Sequence, residues 1–359
     1  MVFPRSGRSF IAHLHAFRGI AIILIVGTHA FVTANFWLGT GGKMKPDKLL
    51  MSVIELVFHN STIFFALISG LLFSTVLHGR GWTRFFRSKL LYAIVPYVLF
   101  SVPFTYFHWT FRNGYEEFQG TPAEFLSKLT ENLLSGSASF QFWYIPVLAG
   151  LFVLTPTIWW FVGSRASPFF LAASLAVPLF VSRILPQNGW ENLLFFLGPY
   201  TLGIWLGADY ETRMERLARR SLLLVVLLIL ASIAAAYLHY FSDAHGIPRR
   251  PINLFESASY VQKMALALIV LLWLKEREGW LPHWLDQFAI YAFAIFFVHQ
   301  IILFWGQDLL NRFVADRPNI AAVLAVGAAW WIVALCGSLA IAKAMHKMLG
   351  MRSRMIIGS

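Results

Sequence analysis

The sequence predicts an all-α polytopic membrane protein, a bundle of about ten transmembrane helices with both termini in the cytoplasm. Composition is the first reason, because 58% of the 359 residues are hydrophobic, 13% are charged and the mean hydropathy is +0.64. The second reason is that apolar runs long enough to cross a bilayer, which takes about 20 residues, recur along the whole chain. The charge distribution, described below, is the third.

The apolar runs divide one domain, residues 1–359, into ten predicted spans. They lie near residues 17–38, 51–77, 91–109, 140–162, 168–182, 190–208, 221–240, 256–274, 285–306 and 320–342. The run at 168–182 is short for a bilayer. Between the third and fourth spans, segment 122–134 has a helical apolar stripe and begins after Thr121, which predicts a helix lying along the outer membrane interface.

The net charge of +12 would indicate a nucleic-acid partner in a soluble protein. With the N-terminus inside, however, 17 of the 29 Lys and Arg residues lie in the cytoplasmic segments and 10 in the external ones. This bias follows the positive-inside rule, so we expect a lipid bilayer and no nucleic acid as partner. The single cysteine, Cys336, permits no disulfide framework and no Cys-His cluster, and we predict no metal site.

Arg18 and His29 bracket the first apolar run and are eleven positions apart. In a helix that separation turns about 1100°, three turns plus about 20°, so the two side chains share a face and His29 lies about 16 Å deeper. A polar side chain in hydrocarbon is costly and indicates a functional site. An arginine at the membrane edge and a histidine at mid-depth suit a long substrate with an anionic head.

The second span contains a second polar pair, Glu55 and His59. The two residues are four apart, so the carboxylate can orient the imidazole or raise its basicity. Both also lie near the outer end of the span, where they would simply meet water. The sequence leaves both interpretations open.

The basic connection after the second span contains Arg84 and Arg87, which are three apart. On one helical face they would present two guanidinium groups to phosphate oxygens. An ordinary basic membrane anchor is an equally good interpretation.

Two further ionisable residues lie within predicted spans. For His299 we weigh catalysis, substrate contact and polar packing, and favour packing, since Gln300 beside it points about 100° away. Lys263 either pairs with a carboxylate, Glu55 or Glu256, or extends its stem outward to the interface.

The first span, FRGIAIILIVGTHAF, resembles the opening signature of the acyltransferase 3 family of integral membrane O-acyltransferases, in which an arginine is followed by a deeper histidine. Further segments are similar to family motifs in the same order: HNSTIFFALISG at 59–70, Arg84-x-x-Arg87, FWYIP at 142–146 and AIFFVH at 294–299. Phe296 stands where a tyrosine is common. The resemblance covers nearly the whole chain.

This resemblance implies a ten-helix bundle that moves an acyl group, usually acetyl from cytoplasmic acetyl-CoA, to a hydroxyl of a polysaccharide or glycolipid. We expect acyl-CoA as a donor co-substrate rather than a permanently bound cofactor. We expect a surface polysaccharide or lipid-linked oligosaccharide as the acceptor, and the bacterial inner membrane as the location. Since 17 residues follow the last predicted span, we expect no appended SGNH-type esterase domain.

His29 would act as a general base or become acylated itself. The candidate residues by role are His29, Glu55 and His59 for catalysis, Arg18, Arg84 and Arg87 for the CoA phosphates, and Trp143, Tyr144 and His299 for substrate contact. The alternative is a transporter or flippase for a glycan or glycolipid that uses the intramembrane histidines and Glu55. Inverted repeats would favour that alternative, and the sequence has no evident ones.

Overall fold

The computed structural model of the protein describes residues 5–38, 48–110, 114–183, 189–241, 252–313 and 320–358. Its helices are α1 Arg5–Leu38, α2 Lys48–Phe58, α3 Thr62–Leu72, α4 Trp82–Lys89, α5 Val95–Tyr106, α6 Pro122–Ser135, α7 Tyr144–Val162, α8 Ser167–Phe180, α9 Trp190–Ala208, α10 Tyr210–Ala218, α11 Ser221–Phe241, α12 Leu254–Glu276, α13 His283–Ile290, α14 Ala292–Phe313, α15 Ile320–Leu349 and α16 Ser353–Ile357. Short π-helical turns occupy Phe73–Leu77 and Leu90–Ile94, and 3-10 turns occupy His78–Arg80, Glu278–Trp280 and Gly350–Arg352.

Long apolar helices confirm the all-α membrane bundle. In the described part of the chain, seven helical stretches are long and apolar enough to cross a membrane, or eight if α13 and α14 form one span. Each of the ten predicted segments contains a helix. α8 is apolar but short, at 14 residues, and α9 is less apolar because Glu191 and Asn192 lie in its first turn.

Helix α1 lies inside the bundle, packed against α3, α13, α14 and α15. Phe17 on α1 stacks on Phe64 of α3, with ring centroids 5.1 Å apart. Helix α3 in turn packs closely on α9. A Cβ at Gly70 would lie 2.2 Å from the Tyr200 carbonyl oxygen, so only glycine allows this backbone approach. The small residues of the second span therefore serve packing.

The second predicted span is present as one apolar stretch, Lys48–Arg80, but it is not a continuous helix. Asn60, with φ of +59°, occupies the left-handed region between α2 and α3. The carbonyl oxygens at the end of α2 accept hydrogen bonds from Gln262 Nε2 (2.9 Å), Lys263 Nζ (3.1 and 2.6 Å) and Thr28 Oγ1 (3.1 Å). These donors replace the partners that the break removes, as a nonpolar surrounding requires.

Both expectations for Lys263 are wrong. Its ammonium group neither pairs directly with Glu55 or Glu256 nor extends outward. It is fully buried and donates to the backbone carbonyls of Leu56 and Val57. The physical reason is the helix break, which offers the ammonium group unpaired carbonyl oxygens inside the bundle.

The ninth predicted span is also bent. α13 and α14 meet at an angle of 80° around Tyr291. α13 crosses close to α1, since a Cβ at Gly19 would lie 2.7 Å from the Leu285 carbonyl oxygen. The bend leaves the N-terminal turn of α14 facing α1, where the candidate site lies.

Outside the spans, α6 confirms the predicted helix between the third and fourth spans. Thr121 caps it in a capping box with Glu124, and the Thr121 N–H and hydroxyl keep the pKa of the Glu124 carboxyl below its usual range. A two-stranded antiparallel sheet, β1 Phe107–Thr110 and β2 Gly114–Glu117, precedes it.

Candidate functional site

Two histidines from distant parts of the chain form the centre of the site. His29 on α1 and His299 on α14 have ring centroids 5.3 Å apart. His299 Nδ1 donates to the Ile295 carbonyl oxygen at 2.8 Å, so its Nε2 carries the lone pair. That Nε2 is buried and has no hydrogen-bond partner in the described part of the chain. His299 is thus buried, as the packing interpretation expects, but keeps one ring nitrogen without a partner, and both interpretations remain predictions.

His29 itself is half-buried, and its other neighbour is aromatic. The rings of His29 and Phe140 pack edge to face, with their centroids 5.5 Å apart. Phe140 belongs to the short segment that enters α7. A histidine held between an aromatic ring and a second imidazole has the geometry of a base or nucleophile that meets its substrate from one side.

A small apolar cavity of about 10 Å³, room for about one water molecule, lies near the histidine pair. It is lined by Phe65, Tyr144, Ile145, Leu148, Phe293 and Phe296. Phe296 also contacts His299, with ring centroids 6.3 Å apart, so the cavity ends at the histidines. Phe296 offers no phenol here, but the Tyr144 hydroxyl is buried and has no hydrogen-bond partner among the described residues.

Arg18 lies at the other side of the cavity lining. Its Cζ is 5.7 Å from the ring centroid of Phe293. Because α1 is one unbroken helix, Arg18 and His29 lie about 16 Å apart along its axis. The cation, the cavity and the histidines therefore follow one another along α1 and α14.

Arg84 and Arg87 lie on α4, which begins after Gly81, a glycine with φ of +83°. Both arginines are exposed. They line an open surface pocket together with Arg80, Gly81, Trp82 and Thr83. The same short helix ends at Lys89, whose Nζ lies 4.5 Å from the ring centroid of Phe152. The two arginines are thus placed at the surface rather than at the cavity itself.

Glu55 and His59 do contact each other, through Glu55 Oε2 and His59 Nδ1, as their spacing predicts. His59 Nε2 also lies 2.8 Å from Glu256 Oε1 and 2.9 Å from Arg183 Nη2, and Arg183 Nε donates to Glu256 Oε2 at 3.1 Å. Asn60 Nδ2 donates to the same carboxylate at 3.2 Å. The side chains of Glu55 and His59 are only 14% and 15% exposed, so the interpretation that they simply meet water is wrong.

Arg183 and Glu256 are the residues that sequence analysis did not place in this site. They lie at the ends of two different apolar runs, 73 positions apart. A charged residue at the end of a predicted span is usually explained by interfacial water, and that explanation hides a buried pair. One feature of the sequence could have revealed the pair: Glu55 and Glu256 are carboxylates within apolar runs, and such carboxylates require a cation nearby.

The segment before α7 connects this polar network to the histidine pair. Phe140 packs on His29, and Trp143 packs on Arg183. The Arg183 Cζ lies 5.7 Å from the centroid of the Trp143 ring. Trp143 and Tyr144 are adjacent in sequence, yet Trp143 faces the network and Tyr144 faces the cavity. The structure therefore brings all three predicted substrate-contact residues to the site, at two different places.

The fold and the site define a class of protein. It is a bundle of long apolar helices in which Arg18, a small apolar cavity and a histidine pair follow one another along α1 and α14.

The chain belongs to the acyltransferase 3 family, because the family model, described as an acyltransferase domain, matches residues 11–345. No match to an SGNH-type domain accompanies it. No curated protein and no solved structure matches the chain. The protein is therefore an integral membrane acyltransferase, and the alternative of a transporter or flippase has no support from these comparisons.

Proposed function

We propose that this acyltransferase moves an acyl group, in the simplest case acetyl, from cytoplasmic acyl-CoA to a hydroxyl of a surface polysaccharide or lipid-linked glycan at the bacterial inner membrane. One observation carries the proposal. Arg18, the apolar cavity and the pair of His29 and His299 follow one another along α1 and α14.

The proposed donor fits this row in shape and charge. Acyl-CoA has a polyanionic nucleotide head and a long, thin pantetheine arm that ends in the thioester. Guanidinium groups such as that of Arg18 bind phosphate oxygens with two parallel hydrogen bonds, while Arg84 and Arg87 face the solvent where the outer part of the nucleotide would lie. The distance of about 16 Å from Arg18 to His29 is comparable to the arm. Acyl-CoA acts as a co-substrate, gives up its acyl group and leaves as CoA after each turnover.

The transfer needs a base or a nucleophile, and His29 takes that role. As a base, it removes the proton of the acceptor hydroxyl while the oxygen attacks the thioester carbonyl; the C–S bond breaks, a C–O bond forms, and the proton goes to the departing thiolate. As a nucleophile, His29 attacks the thioester carbonyl, the C–S bond breaks, and the thiolate takes the imidazole proton; the acceptor hydroxyl then attacks the acyl-imidazole, the C–N bond breaks, and the hydroxyl proton returns to the ring. His299, whose Nε2 has no hydrogen-bond partner among the described residues, holds the ring of His29 or the acceptor hydroxyl in position.

Base catalysis supplies about 10²–10⁴-fold, so the negative charge on the carbonyl oxygen must also be stabilised. The Tyr144 hydroxyl is the donor best suited to this task. It lines the cavity, is buried and has no hydrogen-bond partner among the described residues. A donor already aimed at the reaction centre requires no reorganisation when charge develops there.

The network of Glu55, His59, Arg183 and Glu256 is proposed as the acceptor side of the site. The segment before α7 links it to the histidine pair, since Phe140 packs on His29 and Trp143 packs on Arg183. Carboxylates, a guanidinium and an aromatic face together match the hydroxyls and apolar ring faces of a sugar.

Mass spectrometry of cell-surface glycans tests the proposal in cells that carry the wild type, His29→Ala or no gene. We expect His29→Ala to abolish acylation while the glycan is still exported. His283→Ala is the matched control, because the His283 side chain is fully exposed on α13, and it should acylate normally. Loss of the glycan itself from the surface would instead indicate transport.

A further inference from the structure

Three cations from separate parts of the chain lie on elements that pack against one another, at the end of the row that the topology predicts to be cytoplasmic. Arg18 comes from α1, Lys89 from the end of α4 and Arg354 from α16. Gly358, four positions after Arg354, packs against the Phe293 side chain and the Tyr92 carbonyl oxygen, and Tyr92 follows Lys89 by three positions. Arg18 and Lys89 are half-buried, and Arg354 is exposed.

Each of these cations lies against an aromatic ring. Arg18 Cζ is 5.7 Å from the centroid of Phe293, Arg354 Cζ is 5.3 Å from that of Tyr92, and Lys89 Nζ is 4.5 Å from that of Phe152. Such contacts stabilise a cation moderately without neutralising it. Phe293 also lines the small apolar cavity, so Arg18 lies at its edge.

The fold holds Arg354 in this place. Ile357 of α16 is buried against Ala294 and Ala342, and Ser353 Oγ lies 3.0 Å from His346 Nδ1. The chain then turns at Gly358, with φ of +77°, where a Cβ would lie 3.0 Å from the Cβ of Phe293. The ring beneath Arg18 and the helix that carries Arg354 are therefore in direct contact.

No carboxylate balances this charge. Within the described ranges, neither Arg18 nor Lys89 nor Arg354 forms an ion pair with Asp or Glu, and Asp286, the acidic group that acts on nearby His15, lies against His283 instead. Of the described Lys and Arg residues, Lys128, Arg183 and Lys275 do form ion pairs, whereas the surface arginines Arg84 and Arg87, like these three cations, do not. Like charges that folding brings together repel one another unless an anion joins them.

We propose that Lys89 and Arg354 complete, together with Arg18, a phosphate-binding site for the acyl donor. The inference rests on the proposed function and extends it to the helix after the last span, where neither residue belongs to a motif that resembles the family. The ligand class is the phosphate ester or diphosphate of a nucleotide thioester. Its thioester end then points along the cavity towards His29.

Calorimetric titration of the purified full chain in detergent tests this inference with three donors. Acetyl-CoA carries all the phosphates, its 3′-dephospho form lacks one, and S-acetylpantetheine carries none. We expect Arg354→Gln and Lys89→Met to weaken acetyl-CoA binding about tenfold each, since a charge-assisted contact is lost. Neither variant should change the affinity for S-acetylpantetheine. Arg352→Gln, an exposed arginine two positions before Arg354, should bind like the wild type.

The donor series separates the possible failures. Unchanged affinity of Arg354→Gln and Lys89→Met for acetyl-CoA would overturn the inference, as would an equal loss for S-acetylpantetheine, which would show a structural effect. A change that appears only in nanodiscs containing phosphatidylglycerol would assign the cations to lipid headgroups and also overturn it. A wild type that binds acetyl-CoA no more tightly than S-acetylpantetheine would refute the proposed donor itself.

Discussion

At the scale of single residues, the site depends on polar atoms that the protein leaves without partners. Buried polar atoms are normally hydrogen-bonded, because leaving one unpaired costs about 1–3 kcal/mol. His299 Nε2 and the Tyr144 hydroxyl belong to a larger set of such atoms among the described residues, which also includes the hydroxyls of Thr201 and Tyr260. For the pair beside the small cavity, we propose that a substrate supplies the missing hydrogen bonds.

Tyr144→Phe isolates the proposed role of the hydroxyl. The change removes one oxygen and keeps the ring that lines the cavity. We expect kcat to fall about 10²-fold with KM for acetyl-CoA nearly unchanged, because the hydroxyl acts on charge that develops only in the transition state. Steady-state transfer to a purified acceptor measures both constants.

Tyr237→Phe provides the matched control, since that ring is 61% exposed on α11. Equal kcat for Tyr144→Phe and wild type would remove the phenol from the mechanism. A parallel rise in KM would place it in donor binding.

At the scale of elements, the broken second span is what brings polar groups into the bundle. The interruption at Asn60 turns His59 towards Arg183 and Glu256, and it exposes the last carbonyls of α2 to donors from α1 and α12. A continuous helix would have satisfied those carbonyls itself. The break, rather than any single residue, therefore creates the polar network.

Lys263→Met tests whether α12 supports that break. The change keeps the length of the side chain but leaves the Val57 carbonyl without its Lys263 donor and the Leu56 carbonyl with Gln262 Nε2 alone. We expect the free energy of unfolding in detergent to fall by about 1–3 kcal/mol. Thermal unfolding monitored by circular dichroism measures the loss.

Lys275→Met on the same helix serves as the comparison. Lys275 pairs with Glu211, which is 67% exposed, so its removal should cost less than about 1 kcal/mol. Equal stability of the Lys263 variant and the wild type would show that the ammonium group is not needed at the break.

At the scale of the whole molecule, two sets of polar contacts mark the two ends of the helix bundle. At one end, His13 on α1 joins Tyr210 and Glu278 through its two ring nitrogens, at 2.6 and 3.0 Å. At the other, Ser182 accepts from the Asn253 N–H at 2.8 Å, close to the network of Arg183. The positive-inside rule assigns the first end to the cytoplasm and the second to the outside.

Reporter fusions test that orientation. A fluorescent protein fused after Ser359 should be fluorescent, and alkaline phosphatase fused there should be inactive, because we predict a cytoplasmic C-terminus. Alkaline phosphatase inserted in the predicted external loop near residue 245 should be active. The opposite pattern at both positions would invert the topology and move the donor cations away from cytoplasmic acyl-CoA.

The sequence alone determined those features that lie within a single helix. The apolar runs and the Lys and Arg bias established the membrane bundle, since bilayer thickness and charge asymmetry act on each segment separately. Arg18 and His29, and likewise Glu55 and His59, could be paired because the helical period places residues on a face without reference to any other segment. The order of motifs was sufficient for the family, which the match over residues 11–345 confirms.

Only the tertiary structure decided what lies between segments. It placed His299 beside His29, Arg183 beside Glu256, and Arg354 near Arg18, pairs that join residues from 73 to 336 positions apart. It also bent two predicted spans, at Asn60 and at Tyr291. Hydropathy reports whether a segment is apolar, but the distance between two helices depends on how their surfaces pack, and a pattern within one segment carries no such information.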